Sequence, residues 1–379
     1  MIASDRPLRI GVACYPTFGG SGAVAADLAC ALAARGHEVH VISYATPVRF
    51  EPGPGLTFHE VDVSSYPLFK FPPYEMALSS RLSDVALRHG LDVIHAHYAV
   101  PHSVAAYLAR EIVGRERLRV VTTLHGTDIT LIGSDPAYRP MTRFALRRSD
   151  AVTAVSEYLR DETRRVVCDD CRIRVIGNFV DAERFHPRLR GAGRARYARP
   201  AEKLLVHASN FRPVKRVADV VKIFALTARA LPARLVMAGE GPERATAERV
   251  AAELGVADRV SFVGAVSDVE RLLANADAFL LPSDGESFGL AALEALACGT
   301  PVVGARAGGL PEVVTDGVDG VLEAVGACEA MAARLVDLLR APEAWARAGA
   351  AGRAKVERFF RSELVVPVYE AVYREALAD

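Results

Sequence analysis

Short apolar runs of β character alternate with helical patterns along this chain, and the alternation is run through twice. No other feature limits the fold as strongly. A strand that leads into a helix before the next strand can pair only in parallel, which gives a sheet wrapped by helices. In the first series, strand runs at Arg9–Tyr15, Glu38–Tyr44, Leu56–Val63, Val93–Tyr98, Val120–His125 and Ala151–Val155 enclose helices predicted over 21–35, 75–89, 101–114, 137–148 and 156–166. Ile173–Asp181 closes the series, and the arginine-rich stretch Glu183–Arg199, which has no apolar periodicity, reads as a linker or surface loop. In the second, strands at Leu204–Ala208, Arg234–Ala238, Val260–Val263, Ala278–Leu281, Val302–Val303 and Val321–Leu322 alternate with helices near 217–230, 242–254, 267–275, 287–297 and 328–340. An amphipathic pattern over 363–377 predicts a last helix that crosses back to the first domain. The expected fold is α/β: two doubly wound Rossmann-like domains, 1–181 plus 361–379 and 182–360, facing an interdomain cleft at the carboxyl ends of both sheets. A chain of 379 residues also exceeds what one core usually supports.

Lysine plus arginine equals aspartate plus glutamate at 46 each, so net charge gives no reason to expect nucleic acid or a polyanionic surface as partner. Six scattered cysteines do not read as a disulfide framework, and a reducing compartment is expected. The stretch Met1–Arg9 is polar and lacks the apolar core of a signal peptide. No apolar run approaches the roughly 20 residues needed to cross a bilayer. A cytoplasmic enzyme with no membrane partner is the expectation.

The densest chemical signal runs from Pro282 to Pro301. Glu286 lies where a helix is about to begin, and the amides of Phe288, Gly289 and Leu290 are predicted to stand free at its positive end, a setting that binds phosphate. Glu294, two turns deeper, offers a carboxylate able to accept the paired hydroxyls of a ribose. Gly20-Ser21-Gly22 follows the first strand and fits the G-x-G-x-x-A pattern, but the second strand ends Ile42-Ser43-Tyr44-Ala45 without the acid that a nicotinamide site requires. A loop admitting a phosphate or charged substituent is the better reading. Asn210–Arg216 leaves the first strand of the second domain with cations at Arg212, Lys215 and Arg216, suited to a diphosphate leaving group.

His95, His97 and His125 end apolar strands and read as hydrogen-bonding or substrate-positioning groups rather than metal ligands, because no further ligand cluster accompanies them. Cys168-Asp-Asp-Cys171 lacks the second half of a zinc ribbon and reads as a surface loop. Neither a serine-hydrolase elbow nor a P-loop occurs. Glu286 and Glu294 as a glycosidase pair fit poorly beside a phosphate-binding helix end.

With these motifs together, the chain resembles the retaining family 4 glycosyltransferases of GT-B fold, through Glu286-x7-Glu294, the Gly239-Glu-Gly-Pro242 turn, Lys215 and the Gly19-Gly20 loop. Cys14–Gly22, Phe69–Tyr74, His95–His102, Thr122–Asp128 and Ser209–Arg216 narrow the resemblance to the members that begin bacillithiol biosynthesis. That resemblance implies transfer of N-acetylglucosamine from UDP-N-acetylglucosamine to the hydroxyl of L-malate, with retention, without metal or other cofactor. It implies a donor site of Gly19, Gly20, Ser21, Asn210, Arg212, Lys215, Gly239, Glu286, Ser287, Phe288, Gly289, Leu290 and Glu294. Lys215 and Arg212 would take the diphosphate, Glu286 the sugar and Glu294 the ribose, and His125 would orient the sugar. Asn210 stands where many members have arginine, so Arg212 is assigned the missing charge. Tyr98, Thr123, Arg143 and Asn178, at strand or helix ends, are the candidates for the acceptor's carboxylates. An inositol phosphate or lipid acceptor, a sugar-nucleotide epimerase and a non-catalytic nucleotide-binding module stay open as alternatives, as does a homodimer.

Overall fold

The computed structural model describes residues 6–17, 20–63, 70–191 and 193–378. Two compact units emerge, Met1–Asn178 with Ser362–Asp379, and Phe179–Arg361. In the first, strands β1 (Arg9–Ala13), β2 (Glu38–Ser43), β3 (Leu56–Glu60), β4 (Val93–His97), β5 (Arg119–Leu124), β6 (Ala151–Ala154) and β7 (Arg174–Val175) form one sheet in the order β3-β2-β1-β4-β5-β6-β7. Every pairing is parallel; Ile10, for example, lies between Val39 and Val93. Helices α1 (Gly20–Ala34), α2 (Tyr74–His89), α3 (Val104–Val113), α4 (Arg139–Arg148) and α5 (Glu157–Val166) make the crossovers. With both faces covered, the inner strands β1 and β4 are buried apart from Arg9 at the start of β1, which is why they read as continuous apolar runs.

The second unit repeats the plan. Strands β8 (Lys203–Ala208), β9 (Ala233–Ala238), β10 (Val260–Gly264), β11 (Ala278–Leu281), β12 (Val302–Ala305) and β13 (Gly320–Glu323) take the order β10-β9-β8-β11-β12-β13, again all parallel. Helices α6 (Val217–Ala230), α7 (Arg244–Glu253), α8 (Val269–Asn275), α9 (Leu290–Ala297), α10 (Leu310–Val313), α11 (Cys328–Arg340) and α12 (Pro342–Phe359) surround it. Helix α13 (Ser362–Ala378) belongs to the first unit, where Glu370 pairs with Arg35 at 2.6 Å and the Tyr373 hydroxyl meets His95 Nδ1 at 2.8 Å. In each sheet the strand order reverses once, between β1 and β4 and between β8 and β11. Doubly wound folds bind ligands at the carboxyl ends of the strands there.

Three departures from the sequence expectations have physical causes. Helix α12 was not anticipated because alanine, glycine and arginine give it no strong apolar stripe; small residues carry its packing on α9. A Cβ on Gly349 would lie 2.4 Å from the carbonyl oxygen of Gly299. Arg353 of α12 donates to the carbonyls of Ala182, Phe185 and Ala297, the last at the open end of α9. The stretch 183–199 is not a free linker: Arg190 covers the ring of Trp345 at 4.8 Å, and Arg194 pairs with Asp277 at 2.7 Å. Cys168 and Cys171, read above as part of a surface loop, are joined as a disulfide.

Candidate active site

In the second unit the loops after β8 and β11 flank the switch point, and the candidate groups converge there. Lys215 Nζ donates to Glu286 Oε1 at 2.6 Å, and the same oxygen accepts from the Ser283 hydroxyl at 2.7 Å. The carboxylate is mostly buried, with 11% of its side chain exposed against 21% for Lys215, so solvent screens this pair less than a surface one. Both bonds fall on Oε1, which leaves Oε2 able to accept a further hydrogen bond. The Glu286 carbonyl in turn accepts from Gly309 N at 2.6 Å. Gly308, at φ +62°, allows this approach; a Cβ there would stand 2.1 Å from the Glu286 carbonyl oxygen.

The two loops are also tied to each other. Arg216 bonds Asp284 at 2.9 Å, and Asp284 N donates to the Val214 carbonyl at 2.8 Å. Beneath them His207 is fully buried, its ring nitrogens engaged by the Leu280 carbonyl and the Ser209 hydroxyl, and burial holds it down to about 4. It is a neutral brace. Gly239 packs on the same loop with φ +119°, where a Cβ would sit 1.8 Å from the Ser209 carbonyl oxygen. That turn therefore shapes the loop by its backbone. Among the described residues, Asn210 and Arg212 have no side-chain hydrogen bond or ion pair, which leaves the Arg212 guanidinium for an anion.

Glu294 is buried on α9, at 5% exposure. The helix itself starts later than expected. Gly289 adopts a left-handed φ of 100°, so Phe288 and Gly289 stay outside it and the first helical bond is Leu293 N to the Gly289 carbonyl. The orphan amides are therefore those of Leu290, Ala291 and Ala292. Phe288 is instead an anchor, buried edge-on against Phe360 at 5.9 Å. Ser287 is half-buried in the same loop.

In the first unit the candidates gather after β1, β4 and β5. Helix α1 opens at Gly20, with Ser21 in its first turn, and a Cβ on Gly22 would lie 2.7 Å from the carbonyl oxygens of Tyr15 and Thr17. Gly19 and Phe69 lie outside the described residues. His97 Nδ1 lies 2.9 Å from His125 Nε2, and the Tyr98 hydroxyl bonds Thr127 Oγ1 at 2.7 Å while its ring stacks on His125 at 5.6 Å. Burial pushes His125 down to about 3, and His97 is lowered as well, first by burial and then by the neighbouring imidazoles. These rings are neutral at pH 7, and His97 Nε2 is buried without a partner. Asp128, buried and raised to about 6, braces the turn by accepting from the amides of Gly126 and His125.

The acceptor candidates divide. Tyr98 holds a positive φ of 96°, and Phe211 and Arg216 hold 38° and 49°; among the described residues, three of the four non-glycine residues so placed are in these switch-point loops. Strain of this kind is kept where geometry matters more than stability. Asn178 is buried with its Oδ1 unpartnered. Thr123 is corrected to a core position: it is fully buried, and its hydroxyl is shared by His95 Nε2 and Thr153, each at 2.6 Å. His95 likewise spends both ring nitrogens internally, on Thr123 and Tyr373. Arg143 lies in a groove of about 750 Å³ with Arg139, Arg147 and Phe144, and pairs with Asp169 at 3.4 Å. This basic surface was not visible in the sequence, because its arginines are spaced along α4 among neutral residues.

Sequence reading missed an aromatic wall. Tyr15 stands edge-on to Tyr98 at 5.4 Å and to His102 at 4.5 Å, and Tyr74 meets Tyr44 at 5.5 Å. The Tyr74 hydroxyl is buried without a partner. Tyr15 and Tyr74 lie inside segments quoted above, but nothing in their spacing announces that they meet.

Each of the two parallel α/β units carries polar loops at its switch point, where doubly wound folds take their ligands. The model of the Glycosyltransferase Family 4 matches residues 18–184, that of the Glycosyl transferases group 1 matches 194–355, and the chain belongs to these glycosyltransferases, of GT-B fold. It is 44% identical over 374 residues to the N-acetyl-alpha-D-glucosaminyl L-malate synthase of Bacillus anthracis, covering 98% of each chain. It is 32% identical to a D-inositol 3-phosphate glycosyltransferase of Segniliparus rotundus over 95% of this chain and 85% of that one. Among solved structures, the sucrose-phosphate synthase of Thermosynechococcus elongatus superposes with a TM-score of 0.82 at 22% identity, covering 98% of this chain and all of the other. Anabaena HepE in complex with UDP and glucose gives 0.77 at 21% identity, covering 96% and 98%. No helix among the described residues is long and apolar enough to cross a membrane.

Proposed function

We propose that this glycosyltransferase moves N-acetylglucosamine from UDP-N-acetylglucosamine to the hydroxyl of L-malate, retaining the α configuration, as a step toward a low-molecular-weight thiol. The observation that carries the reading is the 44% identity to the Bacillus anthracis enzyme over nearly the full length of both chains, an extent reached by no inositol-phosphate relative above. The geometry supports a nucleotide-sugar donor on the second unit. Lys215 and Arg212 take the diphosphate, Glu286 Oε2 a sugar hydroxyl, and Glu294 the ribose. On this reading the cations meet the negative charge that grows as the bond from the sugar to the phosphate breaks.

Acceptor binding belongs to the first unit, through Tyr98, Asn178 and the Gly20–Ser21 helix start, with Arg143 supplying a fork for a carboxylate. Thr123 acts through His95 rather than on the ligand. His125 is a hydrogen-bonding group: a ring held down to about 3 is a weak base at neutral pH. The leaving phosphate takes the malate proton instead, so no protein base and no metal is assigned a step. The enzyme is proposed to act in the cytoplasm on small-molecule substrates. The test is UDP release from UDP-N-acetylglucosamine with a panel of acceptors, with and without chelator. L-malate should support turnover and inositol phosphate should not; release that is independent of malate overturns the substrate, and loss of activity in chelator with unchanged circular dichroism and unchanged Tm overturns the metal-free reading.

A further inference from the structure

Three imidazoles meet on one face of the first unit's sheet, on residues that donor and acceptor do not use. Glu38 and His40 are alternate residues of β2 and share that face. His59 of β3 joins them, since it pairs with Ile42, two residues beyond His40. His89, the last residue of α2, completes the group as α2 packs on β2, and Gly90 ends the helix there in a left-handed conformation. One nitrogen from each histidine lies within 4.8 Å of the other two. His40 is buried, whereas His59 and His89 are half-buried and reachable from solvent.

We propose that His40, His59 and His89 bind one divalent cation of the zinc class, with Glu38 fixing His40 in the ligating tautomer. The Glu38 carboxylate can only accept, so at 3.1 Å it draws the Nε2–H of His40 and leaves Nδ1 as a bare lone pair. That lone pair faces His59 Nε2 at 2.8 Å. A carboxylate, an imidazole and a metal in line is the usual way a histidine ligand is oriented. On binding, the shared proton moves to His59 Nδ1, and both facing nitrogens then donate to the metal with no change of charge on the rings. Ligand nitrogens of a tetrahedral zinc site stand about 3.3 Å apart for bonds of about 2.0–2.1 Å. His40 and His59 must therefore open slightly while His89, whose ring is centred 4.2 Å from that of His40, closes in.

Electrostatics at the site favour a cation. The carboxyl end of α2 is negative, and Glu38 Oε1 lies 3.9 Å from His89 Nδ1. On the other side of the balance, Arg81, the cation felt by His59, shares Asp84 with Arg88, at 3.3 and 2.6 Å, and Arg9 lies 3.5 Å from Glu38 Oε2, leaving Oε1 to the histidines. An all-imidazole set selects zinc, copper, nickel or cobalt over magnesium or calcium. With three protein ligands the fourth position falls to water, and the ion would tie β2, β3 and α2 together.

Cys168, Asp170 and Cys171 are the other metal-capable group among the described residues, so the test uses full-length protein carrying Cys168→Ser and Cys171→Ser. Chelator-stripped protein is titrated with Zn²⁺ against a chromophoric indicator, and with Co²⁺ by visible absorption. The expected result is one ion per chain at micromolar affinity or tighter, with the intense Co²⁺ bands of a tetrahedral site. His89→Gln, at an accessible helix end, should weaken Zn²⁺ at least about 100-fold, and Glu38→Gln about 10- to 100-fold, with unchanged circular dichroism in both. Failure to bind a stoichiometric ion, or a His89→Gln protein that binds as the parent does, overturns the proposal.

Discussion

Lys215→Ala is the substitution that separates two roles for the same side chain. Its ammonium lies 2.6 Å from Glu286 Oε1, so it could act on the diphosphate directly or merely hold Glu286 in place. If it stabilises the leaving group, its loss removes an electrostatic donor worth about 3 kcal/mol in the transition state, or about 100- to 200-fold in kcat. Removal also leaves the Glu286 carboxylate with only Ser283 as hydrogen-bond donor, which disturbs donor binding and raises the KM for UDP-N-acetylglucosamine. The assay is steady-state UDP release for Lys215→Ala, Glu286→Gln and the double variant. An ammonium that works on the diphosphate still matters once Glu286 is neutral, so the double variant should be about 10-fold or more slower than Glu286→Gln alone, with a coupling of about 1–3 kcal/mol for the shared contact. If Lys215→Ala keeps kcat within about threefold of the parent, or has no further effect on Glu286→Gln, the leaving-group role is refuted.

Other consequences follow from the same geometry. His95, His102 and His207 are fully buried and held to about 3, 3 and 4, so the folded chain binds fewer protons than the unfolded one below the ordinary value of 6.5. Stability is therefore lost as pH falls through 6.5, by about 2 kcal/mol per histidine down to pH 5. Asp128, raised from 3.8 to about 6, acts in the opposite sense and returns about 1 kcal/mol over the same window. Thermal melts should show a fall in Tm between pH 7 and 5. Arg194→Ala leaves the buried carboxylate of Asp277 with the Leu204 amide but no cation, and should cost about 2 kcal/mol or more, read by denaturant unfolding. Gly239→Ala cannot be accommodated 1.8 Å from the Ser209 carbonyl oxygen and should cost at least about 3 kcal/mol or force the 209–216 loop to move, read as lost stability or a raised donor KM. With His125 neutral, the pH profile of kcat should show no limb near 6.5; a His125-dependent limb there would restore it as the base.

Most of this arrangement was legible because strand–helix alternation is a long-range signal, and ligands in such folds sit at loops whose place in the order is fixed by topology. Lys215 and Glu286 are 71 residues apart, yet both follow strands at the reversal of the second sheet, and that position brings them together. Effects that depend on packing were not legible. Thr123 ends a strand as Tyr98 begins a loop, but only the fold shows its hydroxyl turned inward to His95. Helix α12 packs by glycine and alanine, which carry little periodic signal. The start of α9 depended on the left-handed φ of Gly289, a conformation glycine permits but does not announce. The meeting of His40, His59 and His89 combines strand register with the end of a helix, and neither is read from spacing.

The proposed reaction joins N-acetylglucosamine to L-malate with retention. Proton NMR of the product formed from UDP-N-acetylglucosamine and L-malate tests it most directly. The account predicts an α-anomeric N-acetylglucosaminyl malate formed in step with UDP. A β anomer, free N-acetylglucosamine, or an altered donor sugar without coupling to malate would contradict it.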